Sequence, residues 1–247
     1  MDSAKPVAYH ALVSMQPGAI YEEGSETYMR GVIPLVLVTA LIAIPVNLLL
    51  FVDPGPLFIE LAWTIVVAFF GTTMLATAAL VPMIDELRTA GATRVSTGFA
   101  GLRASGGRVL FATAPLVLLN GFLVLTWIGT VVAIFVAVRF ALFPLAVANE
   151  DADATDAVAR SWELIAGAWW RTAGILFGAL TPYALFMLVV SAINLSRVVG
   201  LLFTVIAQAM VVPFVVIVLL LVFKDYRSAA ADEPARPAPR FPSGPSR

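Results

Sequence analysis

Cysteine is absent and histidine occurs once, as His10. The first gap excludes thiolate metal sites, disulfides and thiol nucleophiles. The second leaves a histidine-based zinc site or a Ser-His-Asp set with nothing to build on. Charge is scarce as well: 13% of residues are charged against 60% hydrophobic, too much apolar surface for one soluble domain to hide. A net charge of −1, with basic residues scattered over several loops, gives no pull toward nucleic acid. No catalytic set, metal or cofactor is expected. A basic start running straight into an apolar core is also missing, and residues 21–26 are acidic, so the N-terminus does not read as a cleavable signal peptide. Lysine stands only at Lys5 and Lys224 while arginine is common, which points to a GC-rich prokaryotic genome.

What charge there is collects between long apolar runs. Residues 31–52, 61–83, 109–148, 172–195 and 198–223 are each long enough to cross a hydrocarbon core that needs roughly 20 residues of helix. The 109–148 run is about twice that length, and the basic residues Arg88, Arg94, Arg103 and Arg108 before it match Arg160 and Arg171 after it. Basic flanks on one side require an even number of crossings. The run is therefore expected to be a hairpin, spans 109–128 and 130–148, turning at residues 127–130 with Gly129 at the tight position. The expected fold is all-α, a polytopic membrane bundle of six transmembrane helices. The connection at 53–60 carries Asp53 and Glu60, two prolines and no basic residue, and reads as external. Both termini are then cytoplasmic in a multi-pass protein of the cell membrane. Residues 1–30 form a cytoplasmic segment, 31–227 the membrane domain, and 228–247 a disordered Pro-rich tail.

Between the fourth and fifth spans, an amphipathic interfacial helix is expected. Asp153 or Thr155 can cap it, and Val158, Trp162, Ile165 and Trp169 recur at helical steps along one face. Asp156 and Arg160 stand at the favourable i, i+4 spacing opposite. Trp162, Trp169, Trp170 and Arg171 read as anchors at the membrane surface; packing on the protein's own underside is the alternative. In the segment 84–108, glycines 91, 98, 101, 106 and 107 are expected to break regularity around a short helix carrying Phe99 and Leu102. They match no phosphate-loop spacing.

Inside the spans, Arg139 falls near the middle of the fourth, with no acidic residue at comparable depth. Counted from Gly129, Arg139 lies ten residues along one arm and Asn120 nine along the other, side by side in the expected hairpin. The two read either as a polar pair that pins the hairpin or as an anion or lipid-phosphate contact. Thr64, Ala68, Thr72 and Ala76, then Ala133, Ala137 and Ala141, then Gly174 and Gly178, form small-residue stripes that read as packing faces.

The run Arg139-Phe140-x-x-x-Pro144, then Ala148-Asn149-Glu150, then Ala154-x-x-Ala157-x-x-Arg160-Ser161-Trp162-x-Leu164-x-x-Gly167-x-Trp169-Trp170-Arg171-x-x-Gly174 resembles the membrane domain of the glycerophosphoryl diester phosphodiesterase family and its stand-alone prokaryotic relatives. Lys224-Asp225-Tyr226-Arg227 is similar to the aromatic-Asp-x-Arg ending of that domain. The motif residues carried over are Pro144, Glu150, Arg160, Ser161, Trp162, Asp225 and Arg227. In the fusions the catalysis belongs to a separate barrel with His and acidic metal ligands. The resemblance therefore implies a membrane module without the catalytic part. The expected role is non-enzymatic: organising or sensing membrane lipids, or holding a membrane-protein partner or a second copy of the chain. A small transporter or lipid-translocating protein is the alternative, and an intramembrane enzyme lacks the paired carboxylates it needs.

Overall fold

A computed structural model describes residues 15–49, 69–124, 127–150, 153–193 and 196–231. They form eight helices with no strand among them: α1 (Pro17–Leu49), α2 (Gly71–Ala90), α3 (Val95–Val124), α4 (Trp127–Arg139), α5 (Phe143–Asn149), α6 (Ala154–Ile165), α7 (Trp169–Ala192) and α8 (Arg197–Ala231). The chain is an all-α bundle, and five stretches of it are long and apolar enough to cross a membrane: Pro17–Leu48, Val95–Val124, Ile128–Asn149, Trp169–Val190 and Val198–Ala231. The expected external turn at 53–60 and the first part of the second span lie outside the described residues, as do His10 and the chain beyond Ala231.

The bundle is built around α8. Its second half, from Val211 to Phe223, is buried on nearly every side, while Val198, Leu202, Ile206 and Met210 form an exposed stripe along its first half. In its most apolar window 72% of residues are buried, against 17% for α3 and 22% for α7. Helices α1, α2, α6 and α7 surround it. α1 begins at Pro17, whose missing N–H costs nothing at a helix start. The helix thus starts well before the expected first span at 31–52. Ile20, Gly24 and Thr27 already form a face, and Gly24 packs on Val218 and Phe214. At Gly31 the backbone leaves helical geometry (φ −117°, ψ 16°), three residues before Pro34 removes a hydrogen-bond donor. A Cβ at 31 would lie 2.7 Å from Leu87 Cδ2, so a larger residue there would push that side chain aside.

Of the glycines of segment 84–108, only Gly91 breaks the helical run. α3 runs unbroken from Val95 through Gly98, Gly101, Gly106 and Gly107, and Gly98 and Gly101 let it close on α2. Pro82 cannot donate to the Ala78 carbonyl, leaving that oxygen without its helical partner. Gly101 presses against it: a Cβ there would lie 2.6 Å from Ala78 O and 2.5 Å from Pro82 Cγ. The Cα–H of Gly101 faces the orphaned carbonyl. Gly91 ends α2 in the left-handed conformation (φ 73°), its N–H donating to Leu87 O at 3.0 Å.

The hairpin is present, since α3 packs on α4 and α5. The expected turn at 127–130 is helical instead, with α3 described to Val124 and α4 from Trp127; residues 125–126 lie outside the described residues. The expected fourth span is also two helices. Pro144 lacks the N–H that would bond to Phe140 O, so α4 stops at Arg139 and α5 restarts at Phe143. The tail expected from 228 onward begins as helix, because α8 continues to Ala231.

Gly101→Ala is expected to lower stability in detergent by about 1–3 kcal/mol through overpacking. Gly107→Ala, where nothing lies within 4 Å of the added Cβ, is expected to be neutral or stabilising. Thermal unfolding followed by circular dichroism measures both. At the α2–α3 corner, Glu86 Oε2 accepts from Thr97 Oγ1 at 2.7 Å and Thr93 Oγ1 at 2.9 Å. These hydroxyls, Thr97 first, hold its carboxyl below the ordinary value of 4.5. The stabilisation is therefore complete above that value and is lost as pH falls through the lowered one. The stability difference between the wild type and Glu86→Gln should shrink on acidification below that ordinary value and stay flat from neutral pH down to it.

Candidate functional site

Charge gathers at one end of the bundle, where the ends of α2, α5, α6, α7 and α8 meet. Glu23 pairs with Arg88 at 2.7 Å, Asp85 with Lys224 at 2.6 Å, and Glu150 with Arg227 at 3.5 Å and Arg160 at 3.7 Å. Beneath these half-exposed pairs sits a buried one. Asp225, its side chain fully enclosed, faces Arg171 at 3.1 Å. Met15 closes the cluster, its N–H donating to Asp225 Oδ1 at 3.3 Å and its carbonyl accepting from Arg171. The Arg171 guanidinium also lies 5.2 Å from the Tyr226 ring centroid, and the Tyr226 and Thr172 hydroxyls are 3.0 Å apart.

The motif residues are therefore brought together. Glu150 joins Arg160 on α6 to Arg227 on α8. Asp225 joins α8 to α7 and to the N-terminal segment. Ser161 Oγ donates to Arg139 O at 3.0 Å, capping the carbonyl that the Pro144 break leaves without a partner. Pro144 itself lies at the start of α5, buried against the same core. Arg160 thus pairs with Glu150 instead of the expected Asp156. Arg171, expected at the membrane surface, instead points inward to Asp225.

α6 packs on α4, α5 and α8. Asp153 occupies its N-cap position in an extended conformation. Its buried face is Ala157, Ser161, Leu164 and Ile165, one position off the expected Val158–Trp162–Ile165–Trp169 stripe. Trp162 therefore sits on the flank of the helix, 47% exposed. Trp169 stacks on Phe135 at 5.7 Å, and Trp170 is 83% exposed. Of the small-residue stripes, Thr72, Ala76, Ala133 and Ala141 are buried as expected, and Gly178 faces Tyr21. Gly174 faces open space, so that pair is no helix contact along its whole length; Thr64 and Ala68 lie outside the described residues.

Arg139 and Asn120 do not meet. Asn120 Nδ2 donates to Leu116 O in its own helix at 2.9 Å. The Arg139 guanidinium lies over the Trp162 ring, 3.9 Å from its centroid, with Nε buried and without an acceptor. Arg88, Arg160, Arg171, Lys224 and Arg227 each face a carboxylate, whereas Arg139 faces none among the described residues. One turn earlier on the same helix face, Val131, Ile134 and Phe135 form an apolar groove of about 440 Å³ with Trp169 and Trp170.

Two features went unread in the sequence. One is a cavity of about 490 Å³ between α2, α4–α5, α7 and α8, bounded by Phe69, Thr77, Ala141, Leu180, Tyr183 and Leu219 among others. The other is a buried polar cluster where Gln208 Oε1 accepts from Asn47 Nδ2 at 2.8 Å and Thr72 Oγ1 at 3.1 Å. Asn47 and Gln208 sit inside long apolar runs, and a polar side chain there is expensive enough to have marked them. The cavity has no such signal, because it is a property of how helices cross. Among the described residues no group of three His, Cys, Asp or Glu side chains is placed to hold a metal. The chain matches no protein family, no curated protein and no solved structure.

Ser161→Ala leaves a buried carbonyl unmet and should cost about 1–3 kcal/mol. Glu150→Gln loosens two long, half-exposed ion pairs and should cost about 1 kcal/mol or less. Denaturation of the two variants side by side measures the difference.

Proposed function

We propose that this protein is a non-enzymatic, multi-pass module of the cytoplasmic membrane that holds anionic phospholipid at its charged end. The charged end faces the cytoplasm in this reading, as the basic loops favour, and α6 lies against the headgroups. The observation that carries the proposal is Arg139, a cation at a helix break with an aromatic platform and no carboxylate. An uncompensated charge in a transmembrane segment is costly, about 2.5–3.5 kcal/mol at the centre by insertion scales. A phosphate oxygen relieves that cost, because guanidinium and phosphate make charge-assisted, bidentate hydrogen bonds. The groove of Val131, Ile134, Phe135, Trp169 and Trp170 supports an acyl chain below it, and the exposed Trp170 suits the interface. The resemblance to the phosphodiesterase-linked membrane domain supports a membrane module that works beside other machinery.

Protein reconstituted with equal anionic and zwitterionic phospholipid should retain the anionic one on gentle extraction, as read by native mass spectrometry. Arg139→Gln should abolish that preference, and Arg139→Lys should keep part of it. Equal retention by the wild type and Arg139→Gln would end the proposal. The cysteine-free chain also permits a topology test: single cysteines at positions 56, 92, 155 and 235 should be reachable from outside, inside, inside and inside. Positions 92 and 155 on opposite faces would overturn the orientation.

A further inference from the structure

The cavity between α2, α4–α5, α7 and α8 has a volume, a shape and a polar end that together describe a ligand. An engineered apolar protein cavity of about 150 Å³ holds one benzene, six carbons. This one, at about 490 Å³, is roughly three times as large, which is room for a hydrocarbon chain. Its lining on α7 runs from Leu176 to Leu188. Those twelve steps (188 − 176) cover about 18 Å of helix rise, against roughly 15 Å for half of a bilayer core. Close-packed protein interiors hold few voids larger than a water, and the Phe177, Ala184 and Leu188 rim is exposed on the outer surface of α7. A ligand therefore enters sideways, from the lipid.

The lining is apolar except for Thr73, Thr77 and Tyr183. The two threonine hydroxyls donate within their own helix, to Phe69 O at 2.7 Å and Thr73 O at 2.8 Å. Tyr183 stands beside the Gln208 amide. Asn47 and Thr72 hold the oxygen of that amide from the α1 and α2 side. Gln208 is fully buried, and its Nε2 has no acceptor. Gln208 itself does not line the cavity, whereas the Tyr183 hydroxyl beside it does, placed to accept from that N–H and to donate to a ligand oxygen. Among the described residues no basic side chain lines the cavity, so a neutral oxygen suits it better than a carboxylate.

We infer that this cavity binds a single hydrocarbon chain carrying a neutral carbonyl, with the carbonyl at the Tyr183–Gln208 end. Two lipid sources share that chemistry, an acyl ester and an isoprenoid quinone. The inference is independent of Arg139, which lies on another face of α4, toward Trp162.

The test uses the full chain in a lipid-free detergent micelle and a fluorescent conjugated C18 polyene as its methyl ester, its free acid and its parent hydrocarbon. The ester should bind at one site and exceed the hydrocarbon by roughly tenfold, about one net hydrogen bond. Tyr183→Phe should reduce the ester to the hydrocarbon level. Ala184→Phe, which fills the cavity from an exposed helix face, should abolish binding of both while circular dichroism and melting stay at wild-type values. Competition then identifies the source: displacement by an isoprenoid quinone or by an unlabelled acyl ester, whichever is tighter. Equal affinity for ester and hydrocarbon overturns the polar end. Tightest binding of the free acid overturns the neutral carbonyl. Wild-type binding by Ala184→Phe, or no saturable binding at all, overturns the site.

Discussion

The buried pair of Arg171 and Asp225 is the constraint on which the charged end of the bundle depends. In an apolar setting a carboxylate with no water must be met by a full set of donors, or its pairing fails. Asp225 is met by the Arg171 guanidinium from α7 and by the Met15 backbone N–H that precedes α1. Two separate pieces of chain are thereby fixed against α8 at one point. Arg171 in turn is held by the Met15 carbonyl and lies over Tyr226. Around this pair the outer ion pairs of Glu23, Asp85 and Glu150 are more exposed. They set register more than they add stability.

The second organising feature is the use of helix breaks. Each break leaves a backbone group unmet, and in lipid such a group needs a protein partner. Pro82 frees the Ala78 carbonyl, which Gly101 covers. Pro144 ends α4, and Ser161 reaches from α6 to cap Arg139. The same break swings Arg139 onto Trp162 and places Ala141 and Pro144 on the wall of the cavity. One proline thus links the motif at the charged end to the void within the bundle.

The apolar runs were legible because hydropathy over twenty residues is a strong, local signal, and so the all-α bundle could be read directly. Where helices begin and stop was less legible. Residues 17–30 look like a polar tail, yet Ile20, Gly24 and Thr27 recur at helical spacing and pack on α8. Gly98 and Gly101 read as breakers, because without a neighbour glycine weakens a helix; against Met83 and Pro82 the same residues permit close approach. Arg171 reads as a surface anchor beside two tryptophans, since its counterion lies in the last helix and no local pattern joins them. Arg139 reads as a mid-span charge beside Asn120, since the Trp162 ring it meets lies on another helix and no local pattern joins them. Glu150 and Arg227, and likewise Arg171 and Asp225, stand far apart in the chain, and their pairing is a matter of three-dimensional placement.

A double-mutant cycle on Arg171 and Asp225 tests the centre of this account most directly. Arg171→Met and Asp225→Leu should each destabilise the reconstituted protein by about 3–5 kcal/mol, because each strands a buried charge. The double variant should recover most of that loss, giving a large coupling energy. Additive losses, with the double variant as unstable as the two singles combined, would contradict it and show that the two side chains act separately.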